Sequence, residues 1–80
     1  MTTNETNINE VIAKNLKIAR RVKGLTLKDV GAILGITGQQ AQKYECGKNP
    51  IAIDKLMQLA NHYNLSITFF FKEFQLPEDN

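Results

Sequence analysis

Apolar side chains recur at helical spacing near the start of the chain: Ile8, Val11, Ile12, Leu16, Ala19 and Val22 form one stripe among polar residues. Asn7 and Glu10 have the spacing of a capping box, so the pattern predicts a helix over residues 8–22, stopped by Gly24 in the left-handed conformation. Thr26 caps a second, short helix with Asp29 near the positive end of its dipole. Val30, Ile33 and Leu34 face inward there, and Gly35 ends it. Thr37 and Gln40 repeat the capping-box spacing and open a third helix that runs to Glu45. Gly47 closes it, and Gly47 to Pro50 read as a loop. A fourth helix over 53–63 buries Leu56, Leu59, Ala60 and Tyr63, and Asn64 ends it. Ser66 caps a fifth through Ile67, Phe70 and Phe71 to Lys72. Nothing alternates with period two over strand length. The expected fold is all-α, a compact five-helix bundle, with residues 1–7 a flexible N-terminus, 8–74 the domain and 75–80 a frayed tail.

Eighty residues, 42% of them apolar, suffice for one modest core. Phe69 to Phe71 is as long as any wholly apolar run, whereas a bilayer span takes roughly 20 residues. Met1 to Asn9 lacks a secretory signal pattern, so the expectation is a cytoplasmic protein without membrane association. Cys46 is the sole cysteine and His62 the sole histidine. No intramolecular disulfide and no cysteine- or histidine-rich metal site can form, and no cofactor is implied. The same scarcity of nucleophiles and bases argues against an enzyme.

Net charge is only +2, and its distribution is more informative. Residues 1–48 hold eight cations (Lys14, Lys17, Arg20, Arg21, Lys23, Lys28, Lys43 and Lys48) against four acids, while residues 49–80 hold two against four. That asymmetry suits a phosphate-facing side and a protein-facing side.

Two helices joined by a tight turn at Gly35 have the form of a helix-turn-helix. Val30 and Leu34 belong to the first helix, Ile36 plugs the turn, and Ala41 and Tyr44 anchor the second. Gly31 has no side chain to hold the crossing helices apart. At roughly 100° per residue, burying Ala41 and Tyr44 turns Gln39 and Lys43 most directly outward, with Gln42 and Cys46 beside them and Gln40 nearer Tyr44. Amides and an ammonium suit a major groove, where Gln pairs with adenine and Lys donates to guanine.

The run from Gly35 to Asn49, with Gln42-Lys43-Tyr44-Glu45 before a Gly-Lys-Asn loop, resembles the phage Cro/CI-type (XRE family) regulators. The likeness extends over about residues 12–71 and includes Leu56 to Ala60 and Leu65 to Phe71. It implies a lambda-repressor-like fold, and a bacterial or phage-encoded repressor of transcription that binds double-stranded DNA. It assigns Gln39, Gln40 and Lys43 to bases, and Thr37, Gln42, Lys48 and Asn49 to phosphates. It also implies an ion pair between Arg20 and Glu45 that ties helix 1 to helix 3. The sequence departs from the family pattern at Leu27, Gly38, Cys46 and Ala52, where relatives more often carry polar residues.

Proteins of this kind bind paired half-sites as two-fold dimers. Four phenylalanines within residues 69–74 exceed what one helix face can bury, so Phe70 is expected inward. Ile67, Phe69, Phe74 and Leu76 are expected to form an isologous homodimer interface. The alternative is a single aromatic mini-core. Two other functions fit the same residues. One is an antitoxin whose tail binds a toxin or other protein regulator, and the other is a protein-interaction module that has lost DNA binding.

Overall fold

The structure is a computed structural model and describes residues 7–74. Four α-helices follow in order: α1 (Ile8–Val22), α2 (Leu27–Leu34), α3 (Gly38–Glu45) and α4 (Ile53–Tyr63). The fifth expected helix is instead a 3₁₀ turn, Ile67–Phe71, so the bundle has four α-helices and not five. Two β-branched residues and three phenylalanines, all poor helix formers, occupy those five positions. Five residues are also too few to offset α-helix nucleation. No strand occurs among the described residues.

The helix ends follow from their caps. Thr26 and Asp29 make a full capping box: the Asp29 N–H donates to Thr26 Oγ1 at 3.0 Å and the Thr26 N–H donates to Asp29 Oδ2 at 2.9 Å. These bonds to the charged form hold the Asp29 carboxyl below the ordinary carboxylate range. The cap is therefore complete above that range and weakens as falling pH protonates Asp29. Thr37 Oγ1 accepts from the Gln40 N–H at 3.0 Å and starts α3. At α1 the expected Asn7–Glu10 pairing is replaced, because Asn7 Oδ1 accepts from the Asn9 N–H at 2.9 Å. Ala52 begins α4 with no side-chain cap, and Asn64 ends it in the left-handed region at φ 58°.

One core holds the domain together. Leu16 and Ala19 of α1, Val30 and Leu34 of α2, Ala41 of α3, and Leu56, Leu59, Ala60 and Tyr63 of α4 form one cluster with Phe70, which is wholly buried. The predicted α1 stripe overruns this core at both ends: Ile8 is 50% exposed and Val22 77%. The inward face of α1 instead takes in Ala13 and the polar Asn15.

Asn15 is 1% exposed. Its Nδ2 donates to the carbonyls of Phe69 (3.3 Å), Phe70 (2.9 Å) and Lys72 (2.8 Å). Carbonyls at the end of a short helical turn lack partners of their own. The Phe69 carbonyl also accepts the Lys72 N–H at 3.4 Å, so the Asn15 amide chiefly serves the Phe70 and Lys72 carbonyls and fastens the 3₁₀ turn to α1.

Close approach of α2 and α3 sets the geometry of the site. A Cβ on Gly31 would lie 2.6 Å from the Ile36 carbonyl oxygen and 3.0 Å from the Thr37 carbonyl carbon. The Ile36 N–H donates to the Gly31 carbonyl at 2.8 Å across the same turn, and Gly35 takes φ 73°. Gly31→Ala is therefore expected to destabilise by about 2 kcal/mol, because backbone must move to admit the methyl group. Urea unfolding checks this, and an unchanged midpoint would contradict the contact.

Candidate nucleic-acid interface

Helix α3 is an exposed helix held by one side. Ala41 is 2% exposed and Tyr44 is half-buried, so the helix sits on the core through those two residues. Gln39, Gln42, Lys43 and Cys46 are exposed, and Gln40, nearer Tyr44, is intermediate. Thr37 stands exposed at the N-terminus, with its hydroxyl engaged in the cap.

The loop after α3 folds back on the helix. The N–H groups of Lys48 and Asn49 both donate to the Lys43 carbonyl, at 3.0 and 3.4 Å, and Gly47 permits the turn at φ 77°. Lys43, Lys48 and Asn49, separated in sequence, are thereby gathered at the C-terminal end of α3, all exposed.

At the other end, an added Cβ on Gly38 would lie 3.4 Å from the backbone N and Cα of Lys28. The N-termini of α2 and α3 therefore stand side by side. Gly38 closes the packing between them and presents no side chain of its own.

The direction of α3 is fixed from α1. Arg20 Nε donates to Glu45 Oε2 at 2.7 Å and Nη2 to Oε1 at 3.2 Å, a bidentate pair with side chains only 12% and 8% exposed. Arg20 Nη1 also donates to the Leu25 carbonyl at 2.7 Å, so one guanidinium holds α1, the α1–α2 loop and the end of α3. The hydrogen bond to Glu45 raises the Arg20 pKa further above its already high ordinary value. Beneath it, burial pushes the Tyr63 phenol up, with Glu45 adding to the shift and Arg20 opposing it. The Tyr63 hydroxyl is buried without a partner among the described residues.

Two features escaped the sequence reading. Asn15 looks like an ordinary polar helix residue, and its partners lie 54–57 positions away. Gln58 Nε2 donates to the Ile33 carbonyl at 2.9 Å and so ties α4 to the end of α2. No local pattern marks either residue.

Of the aromatic group, Phe69 is half-buried, with its ring 5.3 Å from Phe70 and 5.2 Å from Phe74 between centroids. Ile67 is half-buried, and Phe74 and Phe71 are 47% and 39% exposed. Leu76 lies outside the described residues. Among the described residues no helix is long and apolar enough to cross a membrane, and no cluster of potential metal ligands occurs.

Comparison with known proteins gives the same reading of the hairpin. The helix-turn-helix family model matches residues 16–70. An HTH-type transcriptional regulator of Sinorhizobium medicae is 32% identical over 62 residues, which are 78% of this chain and 45% of that protein. One from Rickettsia conorii is 32% identical over 65 residues, 81% of this chain and 52% of that protein. The chain thus spans about half the length of these curated relatives. Among solved structures, a transcriptional regulator from Listeria innocua superposes with a TM-score of 0.71 at 25% identity, covering 86% of this chain and 64% of that one. The clp gene regulator ClgR of C. glutamicum shares the fold with a TM-score of 0.74 at 18% identity, over 82% of this chain and 86% of that one. A hairpin locked at Gly31, an outward amide-rich third helix and a family match across its whole length converge on one assignment: the chain belongs to the XRE family of helix-turn-helix transcriptional regulators.

Proposed function

We propose that this chain is a sequence-specific repressor of the Cro/CI type that binds an inverted-repeat operator in double-stranded DNA as a homodimer. The observation that carries the proposal is the exposed face of α3, where Gln39 and Lys43 point outward on a helix whose other side is buried. In this reading α3 enters the major groove, and Gln39, Gln40 and Lys43 meet base edges. Thr37, Gln42, Lys48 and Asn49 hold the flanking phosphates, the last two through the loop folded against Lys43. The outward parts of Phe71 and Phe74, with Phe69 packed on Phe74 and Ile67 half-buried nearby in sequence, offer the apolar surface on which a second copy docks. The domain of residues 8–74 therefore serves both DNA binding and dimer formation.

Selection from random duplexes with wild-type and variant proteins tests the roles. Gln39→Ala and Lys43→Ala each relax preference at a defined base position, with a loss of roughly 1–3 kcal/mol of discrimination there. Lys48→Ala weakens all duplexes alike and leaves the preferred sequence unchanged. Identical preferred sequences for all four proteins would remove α3 from base reading.

A further inference from the structure

The exposed face of α1 carries charge that the bundle itself does not use. Lys14, Lys17 and Arg21 are all exposed, and at 100° per residue they fall within roughly 60° of arc. Like charges at spacings of three and four repel one another along a helix. Glu10 shares the stripe at its N-terminal end. The ion pair formed among the described residues is Arg20–Glu45, so none of the three cations is neutralised by an acid in contact.

The position of the stripe follows from two contacts of α1 with the end of α3. Arg20 is bonded to Glu45, the last residue of α3. One cap residue on, Gly47 lies against Ala13, its Cβ position 3.8 Å from the Ala13 Cβ. Lys17 is four residues after Ala13 and three before Arg20, so it lies on the same row of α1, between those two contacts. Lys17 therefore stands across the Gly47 turn from Lys48, whose backbone is held to Lys43. Lys17 and Lys48 thus flank the Gly47 turn from α1 and from the loop, and Lys14 and Arg21 extend the positive charge along α1.

We propose that Lys17, with Lys14 and Arg21, forms a second phosphate-binding edge that holds the DNA backbone beside the groove occupied by α3. The inference rests on the DNA-binding reading above and extends its footprint from the helix-turn-helix to the first helix. The occupant is a polyanion of regular spacing, because three cations along one helix row match a run of phosphates.

The test compares wild-type protein with the triple variant Lys14→Gln, Lys17→Gln, Arg21→Gln, and with Lys72→Gln as a control on another face. Binding to one duplex is measured across roughly 50–200 mM salt, with thermal unfolding confirming that each variant is folded. Each lost phosphate contact flattens the slope of log K against log salt by about 0.9. The triple variant is expected to be shallower by about 2–3, with its preferred sequence retained, and Lys72→Gln to match wild type. An unchanged slope for the triple variant, against a wild type that binds with clear salt dependence, overturns the α1 edge alone and turns attention to an acidic protein partner. A wild type that binds no duplex at any salt overturns the DNA-binding reading itself and the edge with it.

Discussion

Glu45→Ala is expected to lower the unfolding free energy by about 2–3 kcal/mol, somewhat under the range for a fully buried ion pair because this one is part-buried. Arg20 would keep its charge with only the Leu25 carbonyl to satisfy it, in a site where its side chain is 12% exposed. For a domain of 80 residues that loss is a large share of a total stability of about 4–12 kcal/mol. Arg20→Lys does not rescue the wild-type arrangement, because an ammonium cannot make two parallel bonds to Glu45 and a third to Leu25. The double variant Arg20→Met, Glu45→Leu is expected to recover most of the stability, since well-packed apolar residues can replace such a pair. Urea unfolding of wild type and these three variants measures each change. Full stability in Glu45→Ala would show that the pair does not position α3.

The second large effect belongs to Asn15. Asn15→Leu keeps the branched outline of the side chain, with added bulk, but removes the donor shared by three carbonyls, two of them within 2.9 Å. Each buried group left unpaired costs about 1–3 kcal/mol, so a loss of roughly 3 kcal/mol is expected. The change releases the 3₁₀ turn from α1, and with it the aromatic surface proposed for the dimer. Weakened self-association together with lowered stability is therefore expected, measured by sedimentation and thermal unfolding. If the Asn15→Leu protein is as stable as wild type, the amide contributes nothing net.

How far the sequence reached can be judged from these residues. The starts and stops of the α-helices were legible because they are local: Thr26 and Thr37 cap their own helices, and Gly24, Gly35 and Asn64 supply the left-handed residues at helix ends. The exposed face of α3 followed from periodicity once Ala41 and Tyr44 were placed inside. The Arg20–Glu45 tie was not readable from periodicity or charge, and only the family likeness pointed to it. Asn15 was missed because a polar residue on a helix carries no sign of partners 54 or more positions away. Ile8 and Val22 share the apolar stripe of α1 yet lie exposed, because periodicity marks a face but not where the core beneath it ends. The fifth helix became a 3₁₀ turn for a related reason. Its spacing was helical, while its length and residue types favoured a tighter turn whose carbonyls Asn15 takes up.

The central claim is that α3 reads DNA sequence as part of a dimer. The most direct measurement is repeated selection of purified protein on a random duplex pool at near-physiological salt, with the bound fraction sequenced. Enrichment of an inverted repeat is predicted, with half-site centres about 34–36 Å apart, one turn of the duplex. Binding that enriches no sequence and only fades as salt rises would contradict the claim.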